Sequence, residues 1–401
     1  MKILWLCSTP TPEIAREIGV KSAINVSWIV KTLEVLKNTT DVEVAVCFPI
    51  QGEIDINGIA DNVEYFGFPQ DKPDPTVYNN KTENNFEEII KSFEPDLIHI
   101  WGTEYPHTLA MVNACEKLNL LDKTVISIQG LCSVIAKHYY ANLPQKIINR
   151  YTLRGAFEVE AIKKVKHVIG RTDWDKACTT QINPDVKYHF CNETLRDSFY
   201  NNKWEYEKCE KYSIFVSQGY YPIKGLHFMI EALAILKQTY PDVKLYVGGL
   251  DLVHRGWKVS SYGKYIQELI EKYDLGNNIQ FTGTLCEDKM CEQYLKANVF
   301  VLPSAIENSP NSVGEAMLLG MPVVSSDVGG VKNLLTHGEE GYIYPCDEPY
   351  MLAYYIKNIF ESEELAKNTG NKAKKKAMLI HDKEANLKQL LRIYQNISKG
   401  E

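Results

Sequence analysis

The sequence predicts an α/β protein made of two doubly wound, Rossmann-like domains, and three observations carry that expectation. Short apolar, β-branched runs alternate with segments of helical apolar spacing, the pattern of βαβ units around a parallel sheet. The alternation breaks over Cys191–Tyr212 (CNETLRDSFYNNKWEYEKCEKY) and then restarts. This places a linker there, a first domain over 1–195 and a second over 212–380, with a last helix over 381–401. The chain has 401 residues, 45% hydrophobic and 24% charged, enough for two domains with real cores.

Taken in order, Lys2–Cys7 reads as the first strand and Thr9–Gly19 as a polar, proline-containing loop. Ser22–Leu36 is spaced as a helix through Ile24, Trp28, Ile29, Leu33 and Leu36. Val42–Phe48 is a strand, Glu87–Phe93 a helix, Leu97–Trp101 a strand, Pro106–Leu118 a helix and Val125–Ile128 a strand. Glu158–Lys166 reads as helix and Val168–Gly170 as strand, with a helix opening at Arg171. Beyond the linker, strands are expected at Tyr212–Ser217, Val243–Val247 and Ile279–Thr282. Helices are expected at Gly225–Lys237, Gly263–Tyr273, Met290–Ala297 and, last, Glu384–Ile397. The Lys372–Lys376 run reads as a solvated helix face.

The most informative stretch is VFVLPSAIENSPNSVGEAMLLGMPVVSSDVGG, Val299–Gly330. Val299–Leu302 is a buried strand, Pro303–Ser309 a loop, Ser312–Leu319 a helix ending at Gly320, and Pro322–Ser325 a second strand. The loop opens at the carboxyl end of a strand, where open α/β sheets bind ligands. Glu307 in the loop and Glu315 in the helix bracket Asn311 and Ser312 at the helix start. Unpaired N–H groups and the helix dipole there favour an anion such as diphosphate. Two carboxylates beside such a site can accept hydrogen bonds from sugar hydroxyls, so the combination suits a nucleotide-sugar.

Glu-x7-Glu after a buried strand, then Ala-Met-x-x-Gly-x-Pro-Val-Val and Val-Gly-Gly, resembles the donor site of the retaining GT-B glycosyltransferases of family 4, the group 1 transferases. The resemblance is strong over Phe215–Pro345 and moderate over Lys2–Arg196. It implies two Rossmann-like domains facing across a cleft, the first for acceptor and the second for donor. It also implies a terminal helix returning to the first domain. The implied activity is metal-independent transfer of a hexosyl unit, with retention, from a nucleotide-diphosphate sugar (UDP- or GDP-linked) to a hydroxyl of a glycan or lipid-linked acceptor. A GT-B epimerase or phosphorylase, and a two-lobed sugar-binding protein without chemistry, are the alternatives. The resemblance gives Glu307 the donor sugar, Glu315 the ribose, and Lys224 the leaving diphosphate. No nucleophile stands out, and the front-face path of the family needs none.

Lys224 lies in FVSQGYYPIKGLHF, after a strand and just before a helix. The family has Gly-Arg…Lys-Gly here. This chain keeps Lys224-Gly225 but has Ser217-Gln218 in place of Gly-Arg, so one cation of the diphosphate clamp is missing; Arg255, Lys258 and Arg171 are its possible replacements. The donor loop holds Asn308-Ser309-Pro310-Asn311-Ser312 where many members are glycine-rich. In the first domain, Gln129 stands where the family often has His; it can bond a hydroxyl but cannot act as a base. Gly19, Gln129 and Arg171 are the candidates facing the acceptor. His99 reads as a core histidine, and His107 and His138 as weak cleft candidates. Gly-x-Gly-x-x-Gly is absent, so no dinucleotide cofactor is expected.

Asp173-Trp174-Asp175 has the form of an Asp-x-Asp metal motif but opens a helix, so it reads as an acidic cap. No Cys/His cluster suggests zinc, and no metal or cofactor is expected. The ten scattered cysteines read as reduced thiols of a cytoplasmic protein, since MKILWLCSTP is a first strand and not a signal peptide. Net charge is −7, which argues against nucleic acid as a partner. Residues 145–171 carry Lys146, Arg150, Arg154, Lys163, Lys164, Lys166 and Arg171 among apolar residues. That stretch is either a surface helix or a peripheral contact with the inner face of a membrane.

Overall fold

A computed structural model describes residues 1–21, 27–39, 41–70, 76–136, 145–254, 256 and 259–400. The chain divides into two compact units. One comprises Met1–Lys137, Gln145–Thr194 and Lys383–Glu401, and the other is built on Leu195–Asp382.

Among the described residues, the first unit holds eight strands: β1 (Lys2–Leu6), β2 (Glu43–Ile50), β3 (Ile56–Ala60), β4 (Val63–Pro69), β5 (Leu97–Trp101), β6 (Thr124–Ser127), β7 (His167–Gly170) and β8 (Lys187–Phe190). Their order across the sheet is β3-β4-β2-β1-β5-β6-β7-β8. Successive side chains of a strand face opposite sides, and β1 shows it. Leu4 and Leu6 join one buried cluster, while Ile3 and Trp5 join the other. Helices cover both faces, which is why the central strands read as continuous apolar runs. Helix Lys383–Lys399 belongs to this unit and buries Leu390, Ile393, Tyr394 and Ile397, each contributing about 1.5–3 kcal/mol. The Tyr394 hydroxyl meets Trp5 Nε1 at 3.2 Å and His99 Nδ1 at 2.5 Å, and His99 Nε2 lies 2.7 Å from Ser127 Oγ. His99 is thus a satisfied core histidine.

Two local expectations fail here. The sheet is not wholly parallel, because β3 runs antiparallel to β4. Ala60 pairs with Val63 across Asp61 and Asn62, whose φ values of 50° and 61° are those of a tight hairpin turn. Within the expected loop Thr9–Gly19, Pro12–Glu17 is a helix. Pro12 pre-sets its first turn, and Thr11 Oγ1 accepts from the Ile14 N–H. The expected helix Ser22–Leu36 is seen from Ser27; Ser22–Val26 lie outside the described residues.

The second unit holds β9 (Glu210–Val216), β10 (Lys244–Gly248), β11 (Ile279–Gly283), β12 (Ala297–Leu302), β13 (Val323–Ser326) and β14 (Tyr342–Tyr344). Their order is β11-β10-β9-β12-β13-β14, with every neighbouring pair parallel. The order reverses between β9 and β12, so the connections leaving these two strands diverge and open a crevice at their carboxyl ends.

The expected linker Cys191–Tyr212 is corrected, because from Leu195 onward it is part of the second unit. Asp197–Asn201 is helical, Phe199 and Trp204 are buried, and Trp204 Nε1 donates to the Ala297 carbonyl at 2.8 Å. The polar residues around these two aromatics hide their burial in the sequence. All ten cysteines are free thiols, and among the described residues no helix is long and apolar enough to cross a membrane.

Candidate functional site

The crevice between β9 and β12 brings together two residues far apart in sequence. Lys224 ends the loop that leaves β9, and Glu307 lies in the loop that leaves β12; Lys224 Nζ donates to Glu307 Oε1 at 2.6 Å. Backbone fit makes this possible. Gly225 has φ +68°, and a Cβ there would lie 1.8 Å from the Pro303 carbonyl oxygen, so the two loops touch only with glycine at this position. The Ala305 N–H donates to the Ile223 carbonyl at 2.7 Å and joins them. From the other side, Gly329 (φ +49°) leaves room for the Glu307 carbonyl, to which a Cβ would come within 1.7 Å. The Gly330 N–H donates to that carbonyl at 3.2 Å. The Val-Gly-Gly segment therefore holds the backbone that carries Glu307. Ser304 Oγ also donates to Glu307 Oε1, at 2.7 Å, and Glu307 Oε2 meets no protein donor among the described residues. The pair thus presents an open carboxylate oxygen next to an ammonium.

Helix Asn311–Leu319 starts beside this pair. No side chain caps it and no acidic residue lies in its first turn, and among the described residues the Ser312 N–H donates to no protein group. Such an end favours an anion. Glu315, one turn in, is buried, and Arg196 binds it with two parallel hydrogen bonds, Nε to Oε1 at 2.6 Å and an Nη to Oε2 at 2.7 Å. Burial pushes the Glu315 carboxyl above its usual range, against the pull of Arg196. Sequence reading expected Glu315 to meet ligand hydroxyls; in the structure each of its oxygens already accepts from Arg196. Ser217 and Gln218 begin the loop that ends in Lys224 and pass over Gly248, where a Cβ would lie 2.4 Å from the Ser217 carbonyl oxygen. Arg255 and Lys258 lie outside the described residues.

In the first unit, Gln129, Arg171 and Glu193 form one cluster beyond the ends of β6, β7 and β8. Gln129 Nε2 donates to Glu193 Oε1 at 2.7 Å, and Arg171 bonds Glu193 Oε2 at 2.7 Å. Arg171 is buried in this pair, on a different unit from Lys224. Gly19 has φ +70° with open space where a Cβ would stand. Asp175 Oδ2 accepts from the Arg171 N–H at 2.9 Å, and Oδ1 accepts from the Thr172 N–H and the Tyr188 hydroxyl. With Thr172 it forms a capping box, so this half of the Asp-x-Asp motif holds a helix start.

Glu104, which sequence reading missed, follows β5 beside the reversal of strand order at β1 and β5. It is half-buried, and Gly102 (φ +94°) makes room for it, since a Cβ there would lie 2.3 Å from Glu104 Oε2. Burial lifts the Glu104 carboxyl to about 7, with the nearby Glu158 adding to the rise. Glu158 itself accepts from Thr103 Oγ1 and from the Cys132 and Ser133 N–H groups.

Residues 198–376 match the family described as glycosyl transferases group 1. That segment, fewer than half of the 401 residues, is similar to the group 1 glycosyltransferases. Among curated relatives, the D-inositol 3-phosphate glycosyltransferase of Corynebacterium urealyticum is 25% identical over 177 residues, which are 44% of this chain and 41% of that enzyme. The match thus spans less than half the length of that relative. Two solved structures agree in fold over almost the whole chain. Sucrose-phosphate synthase from Thermosynechococcus elongatus has TM-score 0.71 at 17% identity, covering 100% of both chains. Anabaena HepE in complex with UDP and glucose has TM-score 0.71 at 17% identity, covering 98% of this chain and 99% of that one. The fold class is GT-B.

The matched segment contains Lys224, Glu307, Glu315, Ser217, Gln218, Asn311 and Ser312, whereas Gly19, Gln129 and Arg171 precede it. Arg196 lies just before the matched segment, and Ser304 within it; both escaped sequence reading. Ser304 was visible as a hydroxyl three residues ahead of Glu307. Among the described residues, four of the basic residues in 145–171 are bound within their own unit. Arg154 Nε donates to the Glu104 carbonyl, and Lys164, Lys166 and Arg171 pair with Glu116, Asp122 and Glu193.

Proposed function

We propose that this chain transfers a hexosyl unit from a UDP- or GDP-linked sugar to a hydroxyl of a glycan or lipid-linked acceptor, with retention of configuration and without a metal ion or cofactor. The observation that carries the reading is the Lys224–Glu307 pair at the strand-order reversal of the second unit, beside an uncapped helix start. In this reading Lys224 and the Ser312 N–H, with Asn311, Ser217 and Gln218 nearby, stabilise the departing diphosphate as charge develops on it. Glu307 accepts hydroxyls of the donor sugar through Oε2 and fixes the ring. Glu315, set by Arg196, faces the ribose. The acceptor hydroxyl attacks from the side the diphosphate leaves, and its proton passes to the leaving phosphate. The first unit, with Gly19, Gln129 and Arg171, serves the acceptor. The likeness to HepE, whose structure holds UDP and glucose, supports a nucleoside-diphosphate donor. We place the reaction on the cytoplasmic side, with exposed Arg150, Leu153 and Lys163 available to an anionic membrane surface.

The test is a panel of UDP- and GDP-sugars read by released nucleoside diphosphate, with the anomeric configuration of any product read by NMR. Release from at least one donor is expected, and release that needs manganese or magnesium would refute the metal-free route. Silence across the panel, with and without acceptor glycans, would remove the transferase reading.

A further inference from the structure

Tyr294 lies behind the crevice of the second unit, on helix Glu287–Lys296, which leads into β12. Its ring packs on Phe215 of β9 at 4.8 Å and on Phe300 of β12 at 5.0 Å, two residues that are partners across these strands. Phe199 meets it edge-on at 5.3 Å. The Tyr294 hydroxyl donates to the Ser312 carbonyl at 3.1 Å and is also hydrogen-bonded to Glu315 and Ser217. Ser217 opens the loop that leaves β9, whereas Ser312 and Glu315 are on helix Asn311–Leu319, beyond β12. One buried hydroxyl therefore joins the two walls of the crevice.

Tyr294 is 0% exposed, so it cannot touch a ligand and acts only through the groups it holds. Burial keeps its hydroxyl far above the usual tyrosine range, so the proton that it donates stays in place. Its bond to the Ser312 carbonyl fixes the planar peptide that follows Ser312, next to the N–H that favours an anion. The bond to Ser217 needs a side chain at that position, which glycine could not supply. The far end of the same loop is tied as well, by the Ala305 N–H to the Ile223 carbonyl and by Lys224 to Glu307. The loop that carries Lys224 is thus held at both ends, and Tyr294 is the tie at its start.

We propose that Tyr294 is a positioning residue of the donor site, holding the loop from Ser217 to Lys224 against the start of helix Asn311–Leu319 so that ammonium and helix N–H groups address one diphosphate. The inference deepens the transferase reading and rests on it for the ligand.

The test uses the full chain. Tyr294→Phe removes the hydroxyl and keeps the ring, and Ser217→Ala removes the other half of one contact. Hydrogen exchange without ligand, read by mass spectrometry, reports the tie directly. Both variants should exchange faster over 217–225, and Tyr294→Phe also over 311–316, while the rest of the second unit exchanges like the parent. UDP and GDP are the binding probes, by calorimetry. Tyr294→Phe should weaken whichever binds by about fivefold, the equivalent of one net hydrogen bond. The double variant should bind no more weakly than Tyr294→Phe alone, because the two residues share a contact. A merely structural Tyr294 would lower the melting temperature and speed exchange across the whole unit, with the Kd of the folded protein unchanged, and that result overturns the proposal. Parental exchange in both segments, or additive losses in the double variant, overturns it too. Should Tyr294→Phe fail to fold, Ser217→Ala decides alone, by faster exchange over 217–225 at an unchanged melting temperature. A chain that shows the local exchange but neither binds UDP or GDP nor releases them from the donor panel keeps the tie and loses the transferase reading. Donor turnover with parental exchange in both variants loses the tie alone.

Discussion

Arg196 and Glu315, 119 residues apart in sequence, close on each other through two parallel hydrogen bonds of 2.6 and 2.7 Å in the interior of the second unit. Arg196 opens that unit, and Glu315 is the second carboxylate of Glu-x7-Glu. The pair therefore ties the first turn of the unit to the helix that starts at the candidate donor site. Removing one partner of a buried pair leaves the other charge uncompensated, at a cost of about 3–5 kcal/mol. Arg196→Met is expected to lower the melting temperature by about 6 °C or more, and Arg196→Met with Glu315→Leu should recover much of that loss. The sign with pH follows from Glu315, whose carboxyl burial already raises in the native state. A raised folded-state carboxyl contributes stability that is present below its unfolded value and lost as pH rises through the folded one. Arg196→Met removes the opposing charge, so its deficit should be smaller at pH 5 than at pH 7 in thermal melts. A deficit independent of pH would separate Glu315 from the effect.

Lys224→Ala and Glu307→Ala address the open pair at the crevice. Both residues are on loops and partly solvated, so the ion pair itself should contribute no more than about 1 kcal/mol to stability. If Lys224 meets the leaving diphosphate, its loss should cost on the order of 10²–10³ in kcat. Glu307→Ala should cost a similar factor through loss of sugar orientation. Released nucleoside diphosphate reads the rate, and near-parental turnover with an unchanged melt would place the donor elsewhere.

Gly329→Ala probes the backbone behind Glu307. The added Cβ would fall 1.7 Å from the Glu307 carbonyl oxygen, at a φ of +49° that alanine adopts at a cost of roughly 1–2 kcal/mol. The loop must move, and Glu307 with it. The expected outcome is a lowered melting temperature together with a loss of turnover approaching that of Glu307→Ala, in a residue with no side chain of its own to offer a ligand. Full turnover would mean that Glu307 tolerates displacement and does not position the sugar.

These residues differ in how visible they are in the sequence, and the reason is sequence distance. Strands buried on both faces, such as Ile3–Leu6 and Val299–Leu302, are continuous apolar runs and could be located directly. The hairpin β3–β4 escaped because β3 alternates exposed and half-buried residues, and its turn signal, Asp61-Asn62, is only two residues long. β14 is three residues, too short for any period to register. Lys224 and Glu307 stood out because each is charged, in a loop, just after a buried strand. Arg196 could not, because its role depends on a partner 119 residues away and on burial that its polar neighbours conceal. Glu104 carried one usable signal, the Trp-Gly-Thr-Glu run in which Gly102 leaves space at a strand end. The apparent Asp-x-Asp metal motif shows the reverse case, where spacing alone suggested chemistry and the local hydrogen bonds assign a cap.

That cap supports a fourth expectation. Asp175→Ala removes an acceptor for the Arg171 and Thr172 N–H groups and for the Tyr188 hydroxyl. Loss of a helix cap costs about 0.5–2 kcal/mol, and the half-buried Tyr188 hydroxyl left without this acceptor should bring the loss to the upper end. Turnover per folded molecule is expected to persist, and to be unchanged by chelator in both parent and variant. Loss of parental turnover in chelator, restored by manganese, would return Asp173 and Asp175 to consideration as ligands.

The carboxyl of Glu104 gives the final expectation, and its sign can be worked out. Burial raises it to about 7, the Glu158 carboxylate raises it further, and Arg154 and the N–H groups of Thr103 and Glu104 oppose the rise. Glu158 is also raised by burial, so the two carboxyls face each other with less than two full charges at neutral pH. A group whose folded-state pKa lies above the unfolded value binds more protons native than unfolded between the two. Stability is therefore present in full below the ordinary carboxylate range and is lost as pH rises from there through about 7. Glu104→Gln keeps the shape and hydrogen-bonding edge but cannot ionise. At pH 5 it should melt close to the parent, and by pH 8 it should be the more stable of the two. The gain is on the order of 1–2 kcal/mol, because Glu104 is only half-buried and solvent screens part of the effect. Melts of both proteins from pH 5 to 9 measure it. Parallel curves would show that Glu104 ionises at no cost to the fold, whereas a crossing in which the parent gains at high pH would mean that Arg154 outweighs burial.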